Sequence, residues 1–595
     1  MIKLSDFVMK FVVKAGVKDI FLLSGGGCMH LVDSVGRNKD LNYVCCLHEQ
    51  VASFAAVAYG QYTNNLGVAL VTTGPGGTNA ITGVAAAWTD SIPLLVLSGQ
   101  VKRPDISVGR GLRTFGFQEL DIVSVVKPIT KYAATIFESN QIRSELEKAC
   151  FIAQSGRPGP VWLDIPLDVQ AALIDEAKLK SFVPKKAKPV KSLPKKVKQI
   201  ISWLKKSKRP VVIAGYGIKV SGAEKDFVKL IEKLNIPVLT TWKALDLLPE
   251  DHPLFFGRPG CIGQRGANFI QQNADLVITI GARLDYGQIG FDHKTFAREA
   301  KKVVVDVEAA ELDKFKFKLD LAVKSSAADF ILELLKESEP INCADWLKLC
   351  LGWKKRYPVV LPEHWAQKKY ASTYALIDTL SKLSAKADLF VPENSGAASE
   401  IVMQALRLQA GQRVITMNTL GSMGSGLPAS IGASVASRKK RVISVIGDGS
   451  LQMNVQDLET VARLKLPIKY FILNNDGYGS IKNTQRNYFK GLYVGSDPTS
   501  GVTLPATAKI AVAYQIKYFK ISKNSEITKK VKEALAFSGP VLCEVMVDPV
   551  EATSPKLQSQ VKPDGSMVSK SLEDLWPFLD RAEFTSNMIV NPLDE

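Results

Sequence analysis

The sequence predicts an α/β protein with three doubly wound parallel-sheet units, and three observations lead to this prediction. The 595 residues are too many for one hydrophobic core and suggest three or four compact units. The composition, 46% hydrophobic and 23% charged, is ordinary for a folded protein. Short apolar runs alternate along the chain with helical stretches, a pattern typical of a largely parallel sheet covered by helices.

The strand-like runs fall into three groups, which define the predicted units. They are residues 20–23, 68–72 and 94–97 in the first group, 210–214, 236–239, 276–280 and 303–307 in the second, and 441–446 and 469–473 in the third. A lysine-rich stretch interrupted by Pro184, Pro189 and Pro194 predicts a linker after the first unit. The predicted boundaries are 1–175, a linker at 176–196, 197–340, a connector at 341–371, 372–550, and a tail at 551–595.

Composition also argues against several classes of function. The eight cysteines include no CxxC pair and no cluster of zinc spacing, so we expect reduced thiols. The formal charge is +18, but the lysines concentrate between residues 178 and 209, which favours a solvated basic surface over a nucleic-acid partner. Residues 1–18 lack the apolar core of a signal peptide, and no apolar run reaches the roughly 18 to 20 residues that span a bilayer. We therefore expect a cytoplasmic protein with no membrane partner.

Two polar segments follow neighbouring predicted strands of the third unit. Gly447-Asp448-Gly449-Ser450 comes directly after residues 441–446, and Asn474-Asn475 ends the next strand. The interval between them is long enough for one crossover helix, so both segments should reach the same carboxyl edge of a sheet. An acidic turn and an unrelated Asn-Asn turn are the alternative interpretation, and the paired spacing makes it the weaker one.

The residue types at this edge suit a metal and a diphosphate. The Asp448 carboxylate, the Asn475 amide oxygen and the Gly477 carbonyl are the oxygen ligands that Mg²⁺ prefers. Gly449 would allow close approach of a diphosphate, and the Ser450 hydroxyl could donate a hydrogen bond to it. The segment therefore predicts a magnesium diphosphate site.

Glu49 is the candidate catalytic residue of the first unit. His48-Glu49-Gln50 follows the strand-like residues 43–47 and precedes an Ala-rich helix at 51–59. A Glu at a helix start is usually a surface charge favoured by the helix dipole. Here the apolar neighbours would desolvate the carboxylate, which suits proton exchange with a ring nitrogen.

These motifs resemble the signature of thiamine diphosphate enzymes, and further segments resemble their acetohydroxyacid (acetolactate) synthase branch. The segments are VTTGPGGTNA at residues 71–80, DSIP at 90–93, GQV at 99–101, FQELD at 117–121, RPGPV at 157–161 and LGSMGSGLP at 420–428. The resemblance covers roughly residues 1 to 580.

The resemblance implies roles for individual residues. Glu49 would bond the N1′ atom of the aminopyrimidine, Gly421 would offer its carbonyl to the 4′-amino group, and Met423 would wedge beneath the cofactor. The other cofactor-binding residues are Gly74, Asn79, Ser422, Gly447, Asp448, Gly449, Ser450, Asn475, Gly477, Tyr478 and Gly479, and the metal ligands are Asp448, Asn475 and Gly477. The substrate residues are Gly25, Gly26, Phe117 and Gln118.

The resemblance also implies an organisation of the molecule. Residues 1–175 would bind the thiamine pyrimidine, and residues 372–550 would bind the diphosphate and Mg²⁺. The tail, with a pattern from Asp564-Gly565 to Leu575-Trp576-Pro577, resembles a segment that helps to close the site, as a lid. A homodimer or homotetramer is implied, with Glu49 and Asp448 contributed by different chains.

The middle unit, residues 197–340, resembles the FAD-carrying domain of the synthases. The candidate FAD residues are Gly215, Gly217, Thr241, Gly281, Arg283, Asp285 and Asp306. The two early glycines could admit a dinucleotide phosphate, although the full GxGxxG spacing is absent. Some relatives use this domain without any nucleotide, so FAD is expected but not required.

The substrate side departs from the synthases. Residues 478–484 stand where synthases carry a Trp, and Asn394-Ser395-Gly396-Ala397 stands where they carry Gln-His. Residues 241–244, 257–260 and 485–488 resemble relatives that attach a two-carbon acyl unit to a nucleotide-linked keto sugar. The Arg and Lys side chains of these segments could equally be solvated surface charges.

The predicted function is a thiamine diphosphate- and Mg²⁺-dependent carboligase. It would decarboxylate a 2-keto acid, with pyruvate as the expected donor, and transfer the acyl-carbanion equivalent to a carbonyl acceptor. A simple 2-keto acid decarboxylase that releases an aldehyde is the closest alternative. A non-catalytic regulatory or binding member of the fold is a further alternative, and a nucleic-acid binder is suggested by charge alone.

Overall fold

The protein is described by a computed structural model that covers residues 1–184, 191–561 and 567–593. The described residues form three parallel sheets with helices on both faces, which confirms the predicted fold class. Residues 185–190 of the predicted linker, with Pro189, and Asp564 and Gly565 of the predicted closing segment lie outside the described residues. The predicted unit boundaries stay a prediction.

The first unit is a six-stranded parallel sheet in the order β3-β2-β4-β5-β7-β6, with a short antiparallel pair β1-β8 beside it. Its strands are β1 (Ile2–Lys3), β2 (Asp19–Leu22), β3 (Asn42–Cys45), β4 (Gly67–Val71), β5 (Leu94–Gln100), β6 (Tyr132–Thr135), β7 (Pro160–Pro166) and β8 (Leu173–Ile174). Its helices are α1 (Leu4–Lys14), α2 (Met29–Arg37), α3 (Glu49–Thr63), α4 (Pro75–Asp90), α5 (Ile122–Val126), α6 (Ile142–Gln154) and α7 (Leu167–Ala171).

The middle unit is a five-stranded parallel sheet in the order β10-β9-β11-β12-β13. Its strands are β9 (Pro210–Ala214), β10 (Val238–Thr240), β11 (Leu276–Ile280), β12 (Lys301–Asp306) and β13 (Leu321–Lys324). The helices here and in the connector are α8 (Leu193–Leu204), α9 (Gly217–Val220), α10 (Glu224–Leu234), α11 (Arg265–Asn273), α12 (Tyr286–Ile289), α13 (Ala309–Asp313), α14 (Ala327–Glu337), α15 (Ala344–Arg356) and α16 (Pro362–Ala366).

The third unit is a six-stranded parallel sheet in the order β15-β14-β16-β17-β19-β18. Its strands are β14 (Leu389–Pro392), β15 (Arg413–Val414), β16 (Val442–Gly447), β17 (Ile468–Asn474), β18 (Lys517–Ile521) and β19 (Val541–Met546). Its helices are α17 (Thr373–Leu383), α18 (Ala397–Ala405), α19 (Gly426–Ala436), α20 (Asp448–Gln452), α21 (Leu458–Arg463), α22 (Gly479–Tyr488), α23 (Thr507–Ala513) and α24 (Asn524–Ala536).

The first and third units share one topology. If the strands of each sheet are renumbered from its first strand, both sheets have the order 2-1-3-4-6-5, and the middle sheet has the order 2-1-3-4-5. In every case the chain changes direction between the first and third strands of the sheet. Ligands of open α/β sheets bind in the crevice at this switch point, outside the carboxyl ends of the strands.

The first and third units also share a hydrophobic core. Residues 51–61 of α3 and 426–434 of α19 are buried, because both helices are apolar on all sides and lie between the two sheets. One hydrophobic cluster contains Phe54 of α3 together with Ile431 of α19. The Cβ of any larger residue at Gly432 would lie 2.1 Å from the carbonyl oxygen of Ala55, so small residues allow the two helix backbones to approach closely.

A helix begins inside the predicted linker. Helix α8 begins at Leu193, inside the predicted linker 176–196, and Pro194 occupies its first turn. Proline is tolerated there because the first turn of a helix has no internal partner for its N–H groups. The prolines therefore do not exclude regular structure from the whole stretch.

The tail packs on the middle unit. After a short antiparallel pair, β20 (Ser559–Val561) with β21 (Met567–Ser569), the side chains of Leu572 and Leu575 are buried, and α25 (Arg581–Ser586) follows. Asn268 Nδ2 donates to the Leu572 carbonyl at 2.6 Å, and Arg265 donates to the Leu575 carbonyl at 3.0 Å. Within the described residues, no helix is both long and apolar enough to cross a membrane.

Candidate active site at the sheet edges

The predicted site residues of the third unit gather at the carboxyl edge of its sheet, next to the switch point. Strands β16 and β17 pair in parallel, with Gly447 opposite Leu473, so the segments that follow them leave the sheet side by side. Gly477 N donates to Asp448 Oδ2 at 3.2 Å, which joins the loop after β17 to the segment after β16. The two segments therefore meet at one edge of the sheet, as their spacing predicts.

Asp448 and Asn475 provide two buried oxygen-bearing groups beside each other. Burial raises the pKa of the Asp448 carboxyl to about 6, although hydrogen bonds from Gly477 and Gly449 act in the opposite direction. Asn475 Oδ1 is buried and has no hydrogen-bond partner among the described residues. A buried acceptor without a partner requires an explanation, and a bound cation provides one. These residues therefore fit a magnesium ion.

The loop after β17 owes its shape to glycine. Asp476 and Gly477 both have positive φ values, 59° and 123°, and a Cβ at Gly477 would lie 2.3 Å from the Ser496 carbonyl oxygen. At Gly449 a Cβ would lie 2.5 Å from the ring of Tyr478, so this ring packs directly on the backbone after Asp448. Tyr478 and Gly479, where α22 begins, thus border the same crevice.

Three further acceptors at this edge lack partners among the described residues. They are Glu393 Oε2, Asn418 Oδ1 and Asn454 Oδ1, all of them buried. Burial also raises the pKa of Glu393. Sequence reasoning did not identify these three residues. Glu393 could have been found because it directly follows β14, on the other side of the switch point from Asp448.

The loop at residues 421–425 is tied to these acceptors. Ser425 Oγ donates to Glu393 Oε1 at 2.7 Å, and Asn454 Nδ2 donates to the Gly424 carbonyl at 2.7 Å. Gly421 has a φ of 66°, and the Asn394 carbonyl oxygen would be the atom nearest to a Cβ added at this position. Ser422 and Met423, between them, are half-buried. The predicted pyrimidine loop therefore lies beside Glu393 and Asn454.

Glu49 is the first residue of α3 and is only 6% exposed. Asn79 Nδ2, from α4, donates to Glu49 Oε2 at 3.0 Å. Gly74 caps α4 with a φ of 62°, and a Cβ there would lie 2.4 Å from the Gln118 carbonyl oxygen. The structure thus brings Glu49, Asn79, Gly74 and Gln118 together at the carboxyl edge of the first sheet.

The segment around Glu49 contacts the third unit of the same chain. Leu47 N donates to Asp457 Oδ1 at 3.0 Å, and Asn454 Nδ2 donates to Gln50 Oε1 at 3.0 Å. Asn454 also holds Gly424, so one side chain links the residue next to Glu49 with the 421–425 loop. The contribution of Glu49 and Asp448 by different chains stays a prediction.

The predicted substrate residues lie on two loops of the first unit. Phe117 is 88% exposed, and Gln118 has a φ of 64°, an uncommon conformation for a residue other than glycine. Their loop is held by Glu119, which accepts hydrogen bonds from Ser107 N and Phe115 N. Gly25 and Gly26 follow β2, at the switch point of the same sheet.

The candidate FAD residues lie at the switch point of the middle sheet. Gly215 N donates to the Ile280 carbonyl at 2.9 Å, and Gly217 N donates to the Gly281 carbonyl at 3.0 Å. Their amide groups are therefore used inside the fold and do not fit a phosphate-binding role. These three glycines instead allow the turns after β9 and β11 to pack together.

The other candidate FAD residues also have partners within the protein. Thr241 N donates to the Ala214 carbonyl, and Asp306 Oδ1 accepts a hydrogen bond from Glu308 N. Arg283 donates to the Thr89 carbonyl and forms an ion pair with Asp285. The protein's own contacts thus account for these residues without a bound nucleotide.

Two charged residues of the segments connected with a keto-sugar acceptor are paired inside the protein. Arg258 is fully buried, and its guanidinium donates to the carbonyls of Gln404 and Leu406 at 2.9 Å. Lys243 forms an ion pair with Asp90 at 2.7 Å. The interpretation of these two side chains as solvated surface charges is wrong, because both join the middle unit to its neighbours.

Three family profiles match successive parts of the chain. The N-terminal TPP binding domain of thiamine pyrophosphate enzymes matches residues 2–125. The central domain of the same enzymes matches residues 197–334, and their C-terminal TPP binding domain matches residues 394–545. The matched segments contain Glu49, Asp448 and Asn475.

Relatives of known function match the chain over almost its full length. The acetolactate synthase large subunit of Cyanidium caldarium is 31% identical over 584 residues, which covers 95% of this chain and 96% of that protein. The acetolactate synthase isozyme 1 large subunit of Escherichia coli K12 is 31% identical, covering 93% and 95%. The acetolactate synthase large subunit of Lactococcus lactis is 32% identical, covering 94% and 95%.

Proposed function

Because the chain belongs to the thiamine pyrophosphate enzymes, in the branch of the acetolactate synthase large subunits, we propose that it joins an acyl unit from pyruvate to a second carbonyl compound. The chain is a thiamine diphosphate enzyme, and when bound this cofactor supplies the electron sink for decarboxylation. The names of the relatives support pyruvate as the donor. The protein residues bind, orient and exchange protons with these partners.

One observation carries the proposal for the metal: Asn475 Oδ1 is buried near the Asp448 carboxylate and has no partner in the part of the chain that the structure describes. We assign Asp448, Asn475 and the Gly477 carbonyl as Mg²⁺ ligands. Ser450 and the backbone at Gly449 would border the diphosphate. The ion would satisfy the Asn475 oxygen, which has no partner among the described residues.

Glu49 is proposed to hold or release a proton at N1′ of the aminopyrimidine. Its burial and its hydrogen bond from Asn79 fix one carboxylate oxygen and leave the other for the ring nitrogen. The Gly421 carbonyl would accept a hydrogen bond from the 4′-amino group, with Met423 beneath the ring. Phe117 and Gln118 would line the side where the substrate enters.

The acceptor is proposed to be a small 2-keto acid. The buried contacts of Arg258 and Lys243 give no support for the nucleotide-linked keto sugar considered from the sequence. FAD stays a separate prediction. The backbone amides of Gly215 and Gly217 already donate hydrogen bonds to carbonyls of the protein and therefore give it no support. An absorption spectrum of the purified protein in the flavin bands tests it directly.

The assembly is proposed to be a homodimer or homotetramer with the sites between subunits. The family supports this arrangement, and the exposure of Phe117 is consistent with a surface that a second chain covers. The tail at 551–595 is proposed as a lid, although its residues 572–577 contact the middle unit in this structure.

Product analysis tests the proposed function. Purified protein is incubated with thiamine diphosphate, Mg²⁺ and pyruvate, and CO₂ and carbon products are followed by mass spectrometry. We expect CO₂ release that depends on the cofactor, together with acetolactate. The same reaction with an added 2-keto acid, and separately with a nucleotide-linked keto sugar, identifies the acceptor.

Other outcomes decide between the alternatives. Acetaldehyde as the only product would show a simple decarboxylase. Cofactor binding without any CO₂ release, tested with several 2-keto acids, would show a non-catalytic member of the fold. Asp40→Asn, an exposed substitution on the first unit, serves as a control whose products should match those of the wild type.

A further inference from the structure

Lys482, on α22, places a buried positive charge against the loop after β17. Its Nζ donates to the Asn475 carbonyl at 2.6 Å and to the Asp476 carbonyl at 3.2 Å. The residue is 8% exposed. Among the described residues no carboxylate forms an ion pair with it at 4.0 Å or less. A buried ammonium that bonds only loop carbonyls is uncommon, because burial of an unpaired charge is unfavourable.

These two hydrogen bonds separate the loop oxygens that Lys482 engages from those that remain available to a cation. The main-chain carbonyls of Asn475 and Asp476 are engaged by the ammonium. Asn475 Oδ1 is buried with no partner among the described residues, and Gly477 N is held by Asp448. The oxygens left for a cation are therefore those of the Asp448 carboxylate, the Asn475 side chain and the Gly477 carbonyl.

The conformation of the loop explains why such a tether is needed. Asp476 and Gly477 are consecutive residues with positive φ, which is an unfavourable conformation for Asp476. Lys482 lies near the start of α22, and its side chain extends back to this turn. The contact thus restrains the turn at its strained end.

We propose that Lys482 is a positioning residue for the metal loop, holding the Asn475 and Asp476 carbonyls so that Asn475 Oδ1 and the Gly477 carbonyl remain available to Mg²⁺. This inference rests on the proposed function.

Calorimetric titration of Mg²⁺ tests the proposal without measuring activity. Titrations are made with saturating thiamine diphosphate on the wild type, Lys482→Met and Lys482→Arg, with Lys509→Met on the exposed face of α23 as the matched control. We expect Lys482→Met to weaken Mg²⁺ binding by about tenfold to a hundredfold, because charged buried hydrogen bonds are lost. Lys482→Arg should recover most of the affinity, and Lys509→Met should match the wild type.

Kinetics separates positioning from a general loss of structure. At saturating Mg²⁺ the kcat of Lys482→Met should approach that of the wild type, while the KM for Mg²⁺ rises. Equal Mg²⁺ affinity of Lys482→Met and the wild type would overturn the proposal. If Lys482→Met is unfolded by circular dichroism, Lys482→Gln takes its place with the same expectation. Absence of Mg²⁺ and thiamine diphosphate binding by the wild type would instead contradict the proposed function.

Discussion

The candidate site contains side chains with buried oxygens that lack hydrogen-bond partners among the described residues. Most buried polar atoms of a folded protein have hydrogen-bond partners. At the edge of the third sheet, however, Glu393, Asn418, Asn454 and Asn475 each carry a buried oxygen without a partner among the described residues. A ligand bound at this edge would give these oxygens partners.

Glu49→Gln should remove most activity while leaving the metal site intact. The amide keeps the size of the side chain but cannot exchange a proton with the pyrimidine, and such assistance is typically worth about 10²- to 10⁴-fold. Steady-state CO₂ release measures the loss, and calorimetry with Mg²⁺ and thiamine diphosphate checks binding. Glu138→Gln, at an exposed position, is the control. Turnover near the wild-type rate would remove Glu49 from its proposed role.

Asp164→Asn should change how stability depends on pH. Burial raises the pKa of Asp164 to about 7, against partly opposing hydrogen bonds from Ser98 and Gln100. An unfolded Asp titrates near about 3.9, so the stability supplied by the protonated form is complete below that pH and is lost as pH rises to about 7. The wild type should therefore lose stability relative to the variant over this window.

Thermal midpoints of wild type and Asp164→Asn, measured from about pH 4 to about pH 8, test this expectation. The difference between the two proteins should change across the window and become constant above it. Asp40→Asn, at an exposed position, should show no such trend. A difference for Asp164→Asn that stays the same at every pH would contradict the assignment.

At the scale of elements, strand order explains where the functional residues lie. All three sheets reverse direction between their first and third strands, and the candidate residues lie at the carboxyl ends of these strands and of their neighbours. The chemical groups at these strand ends differ between the units. In the third unit this edge presents buried oxygens that have no partner within the described ranges, whereas in the middle unit packed glycines close the switch point.

Gly432→Ala should destabilise the packing of α3 against α19. The added Cβ would lie 2.1 Å from the Ala55 carbonyl oxygen, so the two helices must separate. Overpacking of this kind typically costs about 1 to 3 kcal/mol. Circular dichroism should show a lower thermal midpoint for the variant.

Gly36→Ala is the matched control. Gly36 lies in α2, where nothing is within 4 Å of a built Cβ. This substitution should be neutral or should stabilise the protein by about 0.5 to 1 kcal/mol, because alanine favours the helix. Equal midpoints for Gly432→Ala and Gly36→Ala would show that the close approach of α3 and α19 does not limit stability.

At the scale of the whole molecule, the three units are joined by buried polar contacts as well as by the shared core. Lys243 of the middle unit pairs with Asp90 of the first, and Arg258 donates to carbonyls of the third. Asp246 of the middle unit pairs with Lys219 of the same unit and with Arg413 of the third. These contacts fix the orientation of the units within one chain.

Mixing two inactive variants tests whether the site lies between chains. Glu49→Gln removes a proposed site residue of the first unit, and Asp448→Ala removes one of the third unit. If one chain supplies Glu49 and its partner supplies Asp448, mixed dimers contain one intact site, and random exchange should restore about a quarter of the wild-type activity. CO₂ release after co-refolding or co-expression gives the measurement. No recovery, with mixed dimers demonstrated by mass spectrometry, would indicate sites formed within one chain.

Part of this protein could be predicted from the sequence because the relevant physics is local. Apolar runs and crossover lengths predict parallel strands, and parallel strands bring Asp448 and Asn475 to one edge. The Ala-rich run after Glu49 predicts a helix that the structure contains as α3. The sequence determined the fold class and the meeting of the two metal-site segments.

Only the tertiary structure decided how individual polar groups are used. Arg258 and Lys243 are buried interdomain contacts, the amides of Gly215 and Gly217 bond their own fold, and Lys482 secures the metal loop. The physical reason is that burial and hydrogen-bond partners depend on residues far away in the chain. Strand direction and helix position, in contrast, follow from neighbours along the sequence.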